Sequence, residues 1–353
     1  MKNIVVDFSA LADHCGFGEI ARNYCSRLAA MSLPDMHFIF IVPEKFKGAY
    51  GSHIDYVARE HLKKEIKAFP DVDLWHATDQ QFRYRRREKG TIQLLTVHDL
   101  NYLREKHGIH LLKHKIRTPW IINRSDYVTV ISGYVRDDIH KNIPAVKKEL
   151  HVIYNGIADD ENGEQEIPGF VKSADERFFF TIGQVRRKKN FHVLVPMMKH
   201  FPDYRLFICG DDHWDYSSEI RSMVSDADKD RILVTGKISD AEKRWLYAHC
   251  DAFLFPSTLE GFGIPVLEAM RYGARVVSSR CTCLPEVCDG HAAYFDNFEP
   301  DSMARIVKEA ISGWSRNGSE AIAAEKYSRG FNYDRYTKEY VDLYRKLTGL
   351  PPV

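Results

Sequence analysis

Phe255-Pro256-Ser257-Thr258-Leu259-Glu260-Gly261-Phe262-Gly263-Ile264-Pro265-Val266-Leu267-Glu268-Ala269-Met270 decides the reading of this chain. It is entered through Ala252-Phe253-Leu254-Phe255, an apolar run that reads as a buried strand. A Pro-Ser-Thr turn follows, then a loop with Gly261 and Gly263, then a helix starting near Pro265. Glycine lets the backbone turn and approach a ligand closely, and proline suits a first helical turn, where its missing N–H would be an orphan. Strand, glycine loop and helix start together aim free N–H groups and the positive end of a helix dipole at one point, which favours an anion. Glu260 and Glu268 flank that point. An anion site with carboxylates beside it suits a ligand that carries both phosphate and hydroxyl groups. The plain alternative is an ordinary strand-loop-helix with both glutamates in solvent.

Working outward, the second half of the chain repeats the alternation. Strands are expected over residues 178–182, 206–209, 232–234, 252–255, 276–278 and 293–295, with helices between them, including 240–248 and 267–271. The first of these strands runs into Ile182-Gly183-Gln184-Val185-Arg186-Arg187-Lys188-Lys189-Asn190, a turn glycine followed by four cations. Fixed cations at such a place stabilise the charge that builds on a departing diphosphate; on its own the stretch also fits a solvated basic turn.

The first half reads the same way, with strands over 4–8, 37–42, 72–76, 92–97, 127–131 and 151–154, and helices over 19–31, near 53–67 and onward from Tyr134. Strands alternating with helices predict α/β architecture, doubly wound parallel sheets covered on both faces. Ligands of such sheets collect at the carboxyl ends of the strands. That rule selects Gly16-Phe17-Gly18, His76-Ala77-Thr78, His98-Asp99 and Ser132. The acidic stretch 158–174, with Gly163, Pro168 and Gly169, has no period and reads as a linker. The expected organisation is therefore 1–157 as one Rossmann-like domain, 158–174 as linker, 175–330 as the second, and 331–353 as a terminal helix, its Tyr336, Tyr340, Leu343, Tyr344 and Leu347 near helical spacing.

A length of 353 residues fits two domains, and 44% hydrophobic with 28% charged residues is ordinary for a globular protein. A net charge of +1 gives no general reason to expect nucleic acid. No apolar run has the length of a membrane span, and Lys2-Asn3-Ile4-Val5-Val6 reads as a first strand, so a cytoplasmic chain is expected. Seven cysteines, an odd number, are expected to be reduced thiols. Cys281, Cys283, Cys288 and His291 match no common zinc spacing, and no metal is expected. From Arg83 to Arg124 cations are dense, at Arg83, Arg85, Arg86, Arg87, Lys89, Arg104, Lys106, Lys113, Lys115, Arg117 and Arg124, with His107, His110, Leu111, Leu112 and His114 interleaved. This reads either as a solvated helical face or as a patch for an anionic membrane surface or lipid-linked acceptor.

Glu260, seven further residues and Glu268, enclosing Gly-Phe-Gly-Ile-Pro, resemble the signature of family 4 of the retaining glycosyltransferases, the group 1 glycosyl transferases of GT-B fold. The resemblance runs from Gly16 to Phe295 and is strongest from residue 232 onward. It implies two Rossmann-like domains facing across a cleft, with a terminal helix crossing back to the first. It implies transfer of a sugar from a nucleoside-diphosphate donor to a hydroxyl, with retention, by front-face substitution in which the leaving phosphate takes the acceptor's proton. By the same resemblance, Glu268 holds the ribose, Glu260 the donor sugar, and His98 reaches that sugar from the other domain. Lys189, Gly16, Gly18, and the backbone at Phe262 and Gly263, serve the diphosphate. Gln184 stands where relatives carry an arginine, which leaves the second diphosphate cation open among Arg186, Arg187 and Lys188, with Arg187 or Lys188 favoured beside Lys189. His76 and Thr78 are expected on the acceptor side, Asp99 as a cap of the following turn, and Glu286 as structural or base-proximal. No cofactor beyond the donor is implied. The implied partners are a nucleotide sugar and a glycan or lipid-linked glycan, in bacterial lipopolysaccharide, capsule or exopolysaccharide synthesis at the cytoplasmic membrane face, with no nucleic acid. Family frequency puts GDP-mannose and UDP-sugars first. A non-catalytic nucleotide-sugar binder of the same fold, an epimerase and a phosphorylase remain as alternatives. A dinucleotide oxidoreductase lacks support, because no complete glycine fingerprint follows a strand.

Overall fold

The computed structural model describes residues 1–13, 16–69, 71–80 and 90–352. They divide into two compact units, Met1–Ile157 with Phe331–Val353, and Ala158–Gly330.

Among the described residues the first unit has seven strands: β1 (Lys2–Asp7), β2 (Met36–Val42), β3 (Asp55–Ala58), β4 (Leu74–Ala77), β5 (Ile92–Val97), β6 (Tyr127–Val130) and β7 (His151–Val152). They lie in the order β3-β2-β1-β4-β5-β6-β7 and every pairing is parallel. Ile4, Val5, Val6, Ile39, Phe40, Leu74, Trp75 and Leu95 are all fully buried, as near-continuous apolar strands covered on both faces should be. Val5 pairs with Ile39 on one side and with Trp75 on the other, and all three belong to one core cluster. The expected helix over 53–67 is corrected: it begins with β3, and only Leu62–Glu65, between one-turn 3-10 segments, is α-helical. Val57 and Ala58 are buried in register with Ile41 and Val42 of the neighbouring strand. Sheet pairing there overrides the helical bias of the following Arg-Glu-His-Leu-Lys-Lys-Glu.

The Tyr333–Thr348 helix packs into this unit. Tyr336, Tyr340 and Tyr344, four residues apart, form its inner face. The Tyr344 hydroxyl lies 2.5 Å from that of Tyr24 and 2.6 Å from His76 Nδ1. The Tyr340 hydroxyl lies 2.8 Å from Thr96 Oγ1 and 3.0 Å from Thr129 Oγ1. Arg345 forks onto Asp35 at 2.9 and 2.5 Å.

The second unit holds β8 (Phe178–Ile182), β9 (Arg205–Cys209), β10 (Ile232–Gly236), β11 (Ala252–Phe255), β12 (Val276–Ser278) and β13 (Ala293–Tyr294). Their order is β10-β9-β8-β11-β12-β13, again parallel throughout. Residues 158–174, read from the sequence as a linker, are fastened within this unit. The Arg271 guanidinium donates to the Ala158 carbonyl and to Asp159, each at 2.6 Å, and Arg244 Nε donates to the Glu164 carbonyl at 2.7 Å.

Both orders reverse direction once. The reversal falls between β1 and β4 in the first unit and between β8 and β11 in the second. At such a switch point the connections leave to opposite faces of the sheet, and a crevice opens at the strands' carboxyl ends. The two crevices are bordered by the loops after β1, β4 and β5, and by the loops after β8 and β11.

Candidate active site

In the second unit the stretch after β11 turns through a loop into the Ile264–Arg271 helix. Gly263 stands at the helix N-cap with φ +92°, and a Cβ there would sit 2.7 Å from Leu284 Cδ2. Only glycine meets both demands. Pro265 lies in the first turn, as its missing N–H allows. After β8, Gly183 turns with φ +154°, and its bare Cα faces the Lys189 side chain, whose Cε would be 3.2 Å from a Cβ. The two loops are stitched together: Thr258 N–H donates to the Lys188 carbonyl at 2.8 Å, and Ser257 Oγ lies 3.1 Å from the same oxygen.

This stitching sets Lys189 beside Glu260. Lys189 Nζ donates to Glu260 Oε1 at 2.6 Å, and Ser257 Oγ donates to that oxygen at 2.6 Å. The Lys189 ammonium also lies 5.0 Å from the centre of the Phe255 ring. The Glu260 N–H donates to Thr282 Oγ1 at 3.2 Å. The two charged side chains are only 11% and 12% exposed, so water screens the pair weakly. Glu268, in the helix, is held by two donors: Lys243 Nζ to Oε1 at 3.0 Å and Tyr247 OH to Oε2 at 2.9 Å. Lys243 and Tyr247 come from the Asp240–His249 helix and were missed in the sequence. Their four-residue spacing on one face was the available signal.

The other residues singled out have different surroundings. Phe262 is buried, at 3% exposure, so its ring belongs to the core under the loop. Arg187 is 74% exposed and forks onto Glu219 at 2.6 and 3.3 Å. The Arg186 guanidinium lies 5.5 Å from the Trp214 ring centre, and Lys188 lends its carbonyl to the loop after β11. Lys189 is thus the cation of this run that is paired with Glu260. Glu286 lies in the short Leu284–Cys288 helix, half-buried. Cys283 and Cys288 are buried, and burial pushes the Cys288 thiol up to about 12. Among the described residues no three His, Cys, Asp or Glu side chains gather as a metal site.

In the first unit the helix after β1 starts at Gly16, earlier than the expected residue 19. A Cβ on Gly18 would lie 1.8 Å from the Asp13 carbonyl oxygen, whereas Gly16 has open space. Gly18 is therefore required by the turn itself. His98, 5% exposed, follows β5. Its Nε2 donates to the Thr78 carbonyl at 2.8 Å, and its ring lies 4.7 Å edge-on from that of Phe17. Its N–H donates to Gln80 Oε1 at 3.0 Å. Thr78 Oγ1 donates to the Asp7 carbonyl at 2.5 Å. Asp99 accepts the Asn101 N–H at 2.9 Å and its Nδ2 at 2.7 Å, which makes it the residue that fixes the turn. Ser132 caps the Gly133–Asn142 helix by accepting the Val135 N–H at 3.2 Å.

His76 corrects an expectation. It is fully buried, bonded to Tyr344 OH at 2.6 Å and to Thr96 Oγ1 at 2.8 Å, and stacked on Tyr340. It belongs to the seat of the terminal helix and offers an acceptor nothing. Burial drives its pKa down to about 3, so it stays neutral. Asp7, at the carboxyl end of β1, was not foreseen. Burial, opposed by the Ser9 hydrogen bonds, pushes its carboxyl up to about 7. Arg83, Arg85, Arg86, Arg87 and Lys89 lie outside the described residues.

A family model described as glycosyl transferases group 1 matches residues 163–329, and one described as glycosyltransferase family 4 matches residues 24–161. The O-antigen chain mannosyltransferase RfbU of Salmonella typhimurium is 29% identical over 61% of this chain and 60% of its own length. The chain therefore aligns with less than two thirds of that relative. Among solved structures, a sucrose-phosphate synthase of Thermosynechococcus elongatus superposes with TM-score 0.75 at 17% identity, over 99% of this chain and 100% of that one. HepE of Anabaena, in complex with UDP-glucose, superposes with TM-score 0.73 at 19% identity, over 98% and 100%. Those likenesses establish the architecture. With both its halves matched by the two models of one enzyme group, the chain belongs to family 4 of the glycosyltransferases and has the GT-B fold.

Proposed function

We propose that this chain is a retaining transferase that moves a sugar from a nucleoside-diphosphate donor to a hydroxyl of a glycan or lipid-linked glycan. The observation that carries this is the Lys189–Glu260 pair, formed at the β8/β11 switch point between positive-φ glycines. A diphosphate drawn to the Ile264 helix N-terminus finds the Lys189 ammonium there to take up the charge that grows on its oxygens as the glycosidic bond breaks. Glu260, released from Lys189 by that exchange, accepts hydroxyls of the donor sugar while Ser257 keeps its carboxylate oriented. Glu268, steadied by Lys243 and Tyr247, accepts the ribose hydroxyls. No side chain is assigned as nucleophile: the departing phosphate oxygen takes the acceptor's proton as the new bond forms on the same face, which gives retention. His98, held through Nε2 on the Thr78 carbonyl, is the first unit's candidate for the donor sugar. In this reading side-chain cations supply the charge stabilisation, without a metal.

Mannose is the favoured sugar, on the strength of the mannosyltransferase named above, and bacterial surface-polysaccharide synthesis is the favoured setting, in the cytoplasm beside the membrane. The test is release of nucleoside diphosphate from GDP-mannose and from UDP-glucose with membrane-extracted lipid-linked glycan as acceptor. Release from one of them, with an α-linked product from an α-linked donor, supports the reading. Donor binding with no acceptor-dependent release would favour a non-catalytic nucleotide-sugar binder.

A further inference from the structure

The Gly108–Arg124 helix has an apolar stripe that faces outward. Ile109, Leu112, Ile116 and Trp120 are 77%, 57%, 65% and 53% exposed. Their spacing of three and four residues puts them on one face, within roughly a quarter turn of one another at about 100° per residue. The opposite face carries Thr118, Ile121 and Ile122, which are buried against the unit. So the outward residues are not left over from a helix lacking a core side; the helix has two apolar faces and only one is covered by its own unit. Four large side chains in one row exceed the scattered exposure that needs no explanation.

The charges beside the stripe say what it fits. Between Gly108 and Arg124 there are four cations, Lys113, Lys115, Arg117 and Arg124, and no aspartate or glutamate. On the helical projection Lys113, Arg117 and Arg124 border the stripe on the Trp120 side and Lys115 lies beyond it on the other. The Arg124 guanidinium stands 4.7 Å from the Trp120 ring centre, so that cation and ring form one amphipathic rim. The whole chain carries a net charge of only +1, which makes this helix a local excess. No helix among the described residues is long and apolar enough to cross a membrane. We infer that the Gly108–Arg124 helix is an interfacial anchor that lays Ile109, Leu112, Ile116 and Trp120 into an anionic phospholipid surface while its cations meet the headgroups. A second copy of the chain is the poorer occupant, because self-pairing would set two acid-free basic rows side by side. The inference goes beyond the donor chemistry and stands independently of it.

The full chain is tested by flotation with vesicles of phosphatidylglycerol and, separately, of phosphatidylcholine. Binding to the anionic vesicles is expected, weakening by about tenfold or more over phosphatidylcholine or with added salt. The double variant Ile116→Glu/Trp120→Glu should lose binding by about tenfold or more, and Lys113→Glu/Arg124→Glu should lose the preference for anionic lipid. The milder Ile116→Ser/Trp120→Ser pair checks the apolar contribution if the glutamates impair folding. Equal binding to both lipids, no binding by the wild type, or full binding by the apolar variants would overturn the assignment. So would a wild-type dimer that the apolar substitutions turn into a monomer, which would give the stripe to a second copy. Stabilisation by GDP or UDP, measured on the same variants, should be unchanged. It separates a failure of this surface from a failure of the donor site.

Discussion

The two units are built alike and use their buried polar groups differently. In the first, His76, Thr96, Thr129, Tyr24, Tyr340 and Tyr344 hydrogen-bond among themselves, and the result is a seat for the terminal helix. All six are neutral groups at 0–1% exposure. In the second, Lys189 with Glu260 and Lys243 with Glu268 are opposite charges at the edge of burial, beside glycines at +92° and +154°. A closed neutral network completes a core. Paired charges at a switch point, each with one side toward solvent, keep groups in place that a charged, hydroxylated ligand can take over. A polar residue's partners and its remaining exposure therefore tell a site from a seat better than residue type does.

The comparison breaks most visibly at Lys189. Lys189→Met should lower turnover on the order of 10³-fold, since a fixed donor to the leaving group is lost. It should also reduce stability, because Glu260 loses its cation. A change of less than tenfold would put Lys189 outside the reaction. His76→Phe should do the opposite: destabilise by about 3–5 kcal/mol through two lost hydrogen bonds and stranded partners, with turnover per folded molecule unchanged. Its pH signature follows from its depressed pKa. The folded imidazole resists protonation down to about 3 whereas the unfolded one titrates near 6.5, so wild-type stability present above pH 6.5 is lost as pH falls toward 3. The gap between wild type and variant in denaturant melts should narrow over that window.

Asp7 gives a smaller effect of opposite sign. Its folded pKa of about 7 exceeds the ordinary 3.8, so the folded chain holds a proton that the unfolded chain has lost, and stability falls as pH rises from 3.8 to 7. Asp7→Asn should be stabilising by about 2–4 kcal/mol at pH 8 and nearly neutral at pH 4, an upper range set by the rise from 3.8 to about 7. Equal effects at both pH values would contradict a buried, raised carboxyl. Least is expected of Arg187→Ala: about 0.5 kcal/mol or less in stability, because its pair with Glu219 is exposed. A rise in donor KM in that variant would settle the second diphosphate cation on Arg187, and no rise would leave Arg186 and Lys188.

Much of this was legible because it is local. Apolar runs alternating with helices announced the parallel sheets, and the loop from Phe255 to Met270 carries its glycines, proline and glutamates within one strand-loop-helix. What escaped depends on partners distant in sequence. A histidine after a strand reads the same whether it faces a ligand or a helix, and the Tyr344 that claims His76 lies 268 positions away. Lys243 and Tyr247 sit on one helix and act on a carboxylate of another, 25 and 21 positions on. The strand β3 is four residues long and precedes a good helical sequence, so only its pairing with β2 reveals it. The Asp7 carboxyl sits at the end of a strand, and its 3% exposure is a property of the folded unit that its position in the strand does not announce.

The most direct test of the central claim is Glu260→Gln, a near-isosteric change in the pair with Lys189. Two quantities are measured on it: acceptor-dependent release of nucleoside diphosphate, and the rise in melting temperature on adding GDP or UDP. The account predicts release reduced by on the order of 10²-fold or more, with diphosphate binding kept within about fivefold. Release at the wild-type rate with normal diphosphate binding would contradict it, and would remove Glu260 from the reaction.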